Sequence, residues 1–510
     1  MPRQWLRLLD PEIHELRQDE GKSIQGSLHY GRALNGRSLH EEAQEVLDKA
    51  LALDRGDGDL WFERIMAQGD HGTFEDLEQL HDQLTTLRAE RPGDAAVLRN
   101  MGFVRILQQR SDEAERLLKQ ALSNQGGDPK ALELMGLLCI QRECPQEAKT
   151  WLLKALSLQP HDPRSLRLLG ITCMDLGDAK TAEAQFIAAL EQDPEYFWGW
   201  HSLGELLLKR GDLEEGLRCI HRARAIQPRE PASYFILSEL FSEQGHLELS
   251  QGELHQLTAM TAPAAVLSEA YSMLGEIRRD LGDNEGATSY FSLATETDPE
   301  ASDPWAALGD MARADGHWEE ALNCYREALA RRPEGADLLV QTGYAQLHLN
   351  RPQEAEPLFL AALEADPGEY SAYLGLSECY RSLQRPEDQL AMVKLAMTLA
   401  PEDPDVWNAQ GVALEVAGKC GEATDAYEHA LAISPLHRKA ANNLGFLLEK
   451  RMQAGETDLH PRAMEAWKRR LLICRDEGQS LKMATEHLVR LGVAEDTIRR
   501  WLERDPALGS

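Results

Sequence analysis

Glycine stands at Gly102, Gly136, Gly170 and Gly204, each 34 residues after the last. Ser238 takes the next place, and after three extra residues near "TAPAAV" the series resumes at Gly275, Gly309, Gly343, Ser377, Gly411 and Gly445 with the same spacing. A fixed period of this length marks one small supersecondary unit used many times. No single unit can bury its apolar face alone, so stacking on neighbours must supply the core.

Other positions move in step with the glycine. A small residue follows twelve places later, as in Ala114, Ala148, Ala182, Ala287, Ala321, Ala355 and Ala423, and another seven beyond that, as in Ala121, Ala155, Ala189, Ala223, Ala294, Ala328, Ala362, Ala396 and Ala430. Five residues further on, prolines such as Pro160, Pro194, Pro228, Pro333 and Pro435 close the unit. In "DPRSLRLLGITCMDLGDAKTAEAQFIAALEQDP", Leu166, Leu169, Cys173 and Leu176 recur at helical spacing, Gly177-Asp178 breaks the helix, and Ala182, Phe186, Ala189 and Leu190 recur again. The unit is therefore an antiparallel helical hairpin. Gly170, Ala182 and Ala189 let the two backbones approach, Phe186 fills the space beside them, and Pro194 cannot extend the second helix.

This pattern, W/L-x2-L-G-x2-Y followed by A-x3-F-x2-A-x4-P, resembles the tetratricopeptide repeat family. Trp200, Leu203, Gly204, Leu207, Gly216, Ile220, Ala223 and Pro228 match it in one unit, and Trp305, Leu308, Gly309, Ala321, Tyr325, Ala328 and Pro333 in another. About thirteen units begin near 24, 58, 95, 129, 163, 197, 231, 268, 302, 336, 370, 404 and 438, covering roughly nine-tenths of the chain. The resemblance implies an all-α, right-handed superhelical solenoid of antiparallel helix pairs, whose concave face is lined by the first helix of each pair.

Departures from the pattern set the expected domains. Ile65 stands where glycine belongs, in a unit with the irregular loop "GDHGTFED". The 231–264 unit has Ser238, Ser250 and Leu257 at its small positions and is followed by the insertion, which predicts a bend between an N-terminal block over 24–264 and a C-terminal block over 268–477. The last unit carries about six extra residues in "EKRMQAGETDLHPR". Residues 478–510 read as amphipathic capping helices, and residues 1–23 as an N-terminal cap, with Asp10-Pro11 as its helix start.

Composition narrows the function. With 85 acidic against 54 basic residues and no basic cluster, direct nucleic-acid binding is not expected. Eight cysteines form no C-x-x-C pair and read as reduced core thiols, so a cytoplasmic setting is expected. The start "MPRQWLRLLDPEIHEL" lacks a cleavable leader pattern, and no run of apolar residues is long enough for a membrane span. There is no H-E-x-x-H, phosphate-binding glycine loop or G-x-S-x-G elbow; His201 and His221 read as surface or groove residues, and Cys139 and Cys173 as core. The chain is expected to be no enzyme and to need no cofactor or metal.

Groove positions fall at the second, fifth, ninth and twelfth residues of a unit, which share one side of a helix. The ninth gives Phe103, Leu137, Ile171, Glu205, Glu239, Glu276, Asp310, Tyr344, Glu378, Val412 and Phe446. Glu269 and Asp303 at the second position deepen an acidic middle, and Ile140 and Met174 enlarge an apolar stretch before it. Arg279, Arg313 and Arg381 stand one turn beyond the acids and neutralise part of them. The expected partner is a protein or peptide with a Lys/Arg-rich or amphipathic segment, drawn in by a salt-screened negative potential. The carboxylate clamp of some relatives is absent: Arg99 and Phe103, Glu133 and Leu137, and Arg167 and Ile171 hold its places. The asparagine ladder of others is reduced to Asn443.

The expected role is thus a non-catalytic scaffold or adaptor within a multiprotein complex. A recognition or regulatory subunit of a separate enzyme and a peptide-sensing regulator are the alternatives. Within "EYFWGWHSLGELL", Trp200 takes a core position shared with Trp305, Tyr373 and Trp407, while Tyr196 and Phe197 pack between repeats. Trp198 is the aromatic assigned to the groove, next to His201 and Glu205.

Overall fold

The computed structural model describes residues 23–35, 40–68, 74–456, 458–476, 478 and 480–503. Every regular element among the described residues is an α-helix. The N-terminal cap expected over 1–23, with Asp10-Pro11, lies outside them but for Ser23. Two compact units divide the chain between Ile277 and Arg278, inside the helix Ala264–Asp280. The division thus falls within the first helix of the unit beginning at 268 and not in the link at 265–267 where the sequence placed the bend. The 231–264 repeat keeps its hairpin because the Ser238 and Ser250 hydroxyls, both buried, bond to each other at 2.7 Å where other repeats set glycine against alanine.

The hairpin of the first unit between Pro163 and Gln192 shows how the sequence builds each pair. Asp162 caps the helix Pro163–Asp175 by accepting the Ser165 N–H at 2.7 Å, and Pro163 supplies a preset first helical residue. The helix ends where Gly177 turns left-handed at φ 77° and the Asp178 N–H returns to the Cys173 carbonyl at 2.8 Å. Asp178 then caps the second helix, Ala179–Gln192, by accepting the Thr181 N–H at 3.1 Å. In four other repeats Gln109, Glu143, Asn350 and Gln384 hold that left-handed place with φ of 56–59°, so the turn is set by the packing of its two helices and not by glycine alone.

Gly170 is where those helices touch. A Cβ there would lie 2.4 Å from the Phe186 ring, which is fully buried with Ala182 and Ala189. Gly309, Gly343, Gly411 and Gly445 meet Tyr325, Phe359, Tyr427 and Trp467 in the same way in the second unit. Burial of such a ring contributes about 2–3 kcal/mol. Gly170→Ala gains helix propensity of about 1 kcal/mol yet must displace the ring, and a net destabilisation of about 1–2 kcal/mol is expected. The urea midpoint of this variant checks it; an unchanged or raised midpoint would show that the ring moves freely.

The fourth position of the repeat departs from the core role read from sequence. Trp200, Trp305, Tyr373 and Trp407 are half-buried. Trp200 donates its indole N–H to the Pro194 carbonyl at 2.9 Å, Trp407 to that of Pro401 at 2.7 Å, and Tyr234 its hydroxyl to that of Pro228 at 2.9 Å. These rings tie down the turn between repeats, because a polar tip must stay at an edge where a carbonyl is free. Phe197, by contrast, is buried. At the C-terminal end of the second unit, the helices Lys482–Arg490 and Glu495–Glu503 lay Ala484, Leu488 and Ile498 over Trp467 and Leu471.

Candidate functional site

In the first unit the helices Phe197–Arg210 and Ala232–Glu243, first members of successive pairs, bring three of the sequence-predicted residues to one cavity of about 310 Å³. His201, Glu205 and Glu239 line it together with Glu243, and Leu208, Phe235 and Ile236 give it an apolar floor. The register explains this: positions 9 and 13 of one helix and 5, 6 and 9 of the next share the groove side. Glu205 is already engaged by Lys209 at 2.7 Å. Glu239 and Glu243 make no ion pair among the described residues, and neither does Glu269. Glu269 sits near enough to Glu239 that burial and that like charge push its carboxyl above the usual carboxylate range. Glu276 is half-buried in the helix Ala264–Asp280.

Trp198 packs on His201 of this pocket's lining. It is 37% exposed, meets Phe197 and His201 edge-on at 4.9 and 5.6 Å, and carries the Arg167 guanidinium at 5.5 Å from its ring centre. Burial holds the His201 imidazole below its ordinary value, so it is neutral at pH 7, and its Nε2 has no hydrogen-bond partner. Cation and indole cover each other here, and the ring keeps part of its surface exposed.

The apolar stretch expected further up the groove is different in kind. Phe103 is only 2% exposed and stacks on Phe62 at 5.3 Å. Arg164 lies 5.5 Å from both rings and Lys130 4.5 Å from that of Phe62. Their charges are answered locally, Arg164 by Glu133 at 2.7 Å and Lys130 by Asp59 at 2.9 Å. Leu137, Ile171 and Met174 are half-buried against the neighbouring core clusters. Cations at second positions spread over rings at a fifth and a ninth position, Phe62 and Phe103, so Phe103 offers a partner no open face; the sequence reading took the rings and the cations separately.

The remaining acids, Asp303 and Asp310, belong to the second unit. Asp303 is exposed and faces Arg332 at 3.6 Å. Asp310 accepts the Tyr325 hydroxyl at 2.7 Å and Arg313 at 3.1 Å, a committed internal set. This unit also holds a larger cavity, about 1030 Å³, that sequence reasoning did not single out. It runs along the helices Ala336–His348, Tyr370–Ser382, Pro404–Val416 and Arg438–Gln453, with Tyr344, Glu378, Asn408, Val412 and Asn442 at groove positions. The signal was present in the fifth-position pair Asn408 and Asn442, which a reading centred on the ninth position passes over.

No catalytic constellation stands out in either cavity. Among the described residues one cluster has metal-ligand spacing, Glu78, His81 and Asp82, with donor atoms within 4.8 Å of one another. Arg105 approaches Glu78 at 2.7 Å and His81 Nδ1 at 3.1 Å, placing a positive charge where a divalent cation would sit.

Comparison with known proteins places these repeats. Three family models, each described as tetratricopeptide repeat, match residues 167–231 and 306–370, 346–412, and 268–300. A peroxisomal targeting signal receptor of Candida albicans is 30% identical over 92 residues, a match spanning 17% of this chain and 16% of the receptor's length. Among solved structures, the Cut9–Hcn1 hetero-tetramer of APC/C aligns over 95% of this chain and 99% of its own at 14% identity and a TM-score of 0.41. The pilus biogenesis factor PilW aligns over 44% of this chain and 99% of its own at 20% identity and a TM-score of 0.37. YrrB, described as a TPR protein with an unusual peptide-binding site, aligns over 34% and 90% at 20% identity and a TM-score of 0.29.

Proposed function

Because the chain is built of tetratricopeptide repeats, we propose that it is a non-catalytic, cytoplasmic scaffold that captures a partner protein through a short basic segment with an apolar end. One observation carries this reading: Glu239 and Glu243 line the pocket with no ion pair among the described residues, Glu269 lies near Glu239, and the cation in the lining, Lys209, is bonded to Glu205, all beside the apolar floor of Leu208, Phe235 and Ile236. Like-charged carboxylates held together raise the free energy of the empty pocket, and a lysine or arginine relieves it. Aliphatic or aromatic side chains beside that cation would cover the floor, with Trp198 as the flanking anchor. The eight cysteines are all unbridged, in keeping with a reducing compartment.

Glu269 supplies the test. A bound cation favours its ionised form, so capture is complete above its raised pKa and is lost as pH falls through it. The loss begins at higher pH than an ordinary carboxylate would give. The same raised value means the empty protein holds the protonated form better and loses stability as pH rises through that window. Glu269→Gln is therefore expected to raise the melting temperature at pH 7, to weaken capture, and to flatten its pH profile. Fluorescence anisotropy of a labelled Lys-Lys-Leu-Leu peptide from pH 4 to 8 measures both effects, and a profile identical in the two proteins would remove Glu269 from the site.

A further inference from the structure

Local geometry sets one pair of cysteines apart from the other six. The helix Pro129–Gln141 ends where Glu143 turns left-handed at φ 56°. The Glu143 N–H returns to the Ile140 carbonyl at 3.0 Å and the Cys144 N–H to the Cys139 carbonyl at 2.9 Å. In a helix end of this form the first and last residues of the turn rest their side chains on each other. A later repeat shows that contact: the Arg385 N–H meets the Tyr380 carbonyl at 2.8 Å in the same register, and the Arg385 guanidinium lies 4.2 Å from the Tyr380 ring. Other repeats place Arg105 with Arg110, Cys173 with Asp178 and Leu207 with Asp212 at these two positions. The repeat beginning at 129 places a thiol at both.

A main-chain hydrogen bond of 2.9 Å between Cys144 and Cys139 brings their α-carbons to about 5–6 Å by bond lengths alone. A disulfide spans about 4.4–6.8 Å between α-carbons. Cys139 is buried and Cys144 exposed. Burial pushes the Cys139 thiol up to about 11, and the charges of Glu147 and then of Cys144 add to that, so the second sulfur stands close enough to act on the first. Cys139 is therefore held as a thiol while Cys144 meets solvent, the division of labour between a resolving and a reacting cysteine. The Cys144 thiol donates to the Arg142 carbonyl at 3.4 Å, a weak bond that a change of rotamer releases.

We propose that Cys139 and Cys144 are a redox modification site, which a peroxide converts to an intrachain disulfide across the turn between the helices Pro129–Gln141 and Pro145–Leu158. The Cys144 thiolate attacks one peroxide oxygen; an S–O bond forms, the O–O bond breaks, and hydroxide leaves a sulfenic acid behind. That hydroxide takes the Cys139 proton. The Cys139 thiolate then attacks the sulfenic sulfur; the S–S bond forms, the S–O bond breaks, and the second hydroxide is protonated. Two thiols and one peroxide yield one disulfide and two waters, with the sulfurs oxidised and the peroxide oxygens reduced. The site depends on neither cavity and on no reading of what the groove binds.

Trypsin supplies the test, because Arg142 lies between the two cysteines and cleavage leaves them on separate peptides, 131–142 and 143–149. The full chain is treated with a small excess of hydrogen peroxide, its remaining thiols are alkylated, and the digest is read by mass spectrometry. The two peptides are expected joined, at least about ten-fold above any other cysteine pairing, and separated by dithiothreitol. Cys139→Ala, which removes the resolving thiol, should raise labelling of Cys144 by the sulfenic-acid probe dimedone at least about ten-fold. Cys144→Ser should leave Cys139 unoxidised. The wild-type cross-link is read without either variant, so a variant that fails to fold leaves the result intact. The proposal is overturned if Cys144 proceeds to sulfinic acid with the peptides unlinked, or if it links instead to a cysteine elsewhere or on a second chain.

Discussion

Lysine at both 239 and 269 is expected to weaken capture of a Lys-Lys-Leu-Leu peptide by at least about 100-fold, or about 2.7 kcal/mol, while the far-ultraviolet spectrum and melting temperature stay within experimental scatter. Both residues are exposed as a whole and only the Glu269 carboxyl is partly shielded, so the change removes little packing. Opposite charges 4 Å apart at a protein surface interact by about 4 kcal/mol before screening and side-chain freedom reduce it, and reversal replaces that attraction with repulsion. A few tenths of this for each site reaches the stated loss. Glu205→Lys is the informative comparison. Glu205 already spends its charge on Lys209 at 2.7 Å, so its reversal should weaken capture less, by roughly ten-fold through the freed lysine. Rising salt should diminish wild-type capture and leave the double variant almost flat. If the double variant captures the peptide as tightly as the wild type, the groove side of these helices is not the docking surface.

How legible this was depends on what each residue's role requires. The hairpin could be read because its determinants are local: a capping aspartate, a left-handed residue two places before the next helix, and a glycine facing a ring sixteen residues later in the same repeat. Which residues share a side of a first helix was legible for the same reason, since helical periodicity alone puts residues 2, 5, 9 and 12 together, and His201, Glu205 and Glu239 line one pocket. Whether a groove residue is available was not legible. Phe103 and Asp310 occupy the same register as Glu239, yet one is roofed by Arg164 and the other bonded to Tyr325. Those partners come from a different helix in each case, and pairing across helices leaves no mark in the periodicity. The second cavity was missed for a different reason: its fifth-position pair Asn408 and Asn442 stands in the periodicity, but the ninth position drew the reading.

The fate of two tryptophans tests that distinction between register and environment. Trp467→Ala is expected to cost about 3–5 kcal/mol. Its ring is fully buried, lies where a Cβ on Gly445 would come within 2.7 Å, stacks on His487 at 4.1 Å and meets Phe446 edge-on at 5.0 Å. Removing it leaves a cavity under Leu471, Leu488 and Ile498 and strands the His487–Glu449 contact of 2.7 Å without its covering ring. Because stability in a repeat array is carried by nearest-neighbour interfaces, hydrogen exchange should accelerate across 460–503 while the hairpin between Ala336 and Ala365 keeps its protection. Trp200→Ala should cost only about 1–2 kcal/mol, the sum of one hydrogen bond to the Pro194 carbonyl and partial burial, and Trp200→Phe, which forfeits the bond alone, about half of that. Equal costs for Trp200→Ala and Trp467→Ala would mean that the fourth position is core after all, and that the turn carbonyl it binds is incidental.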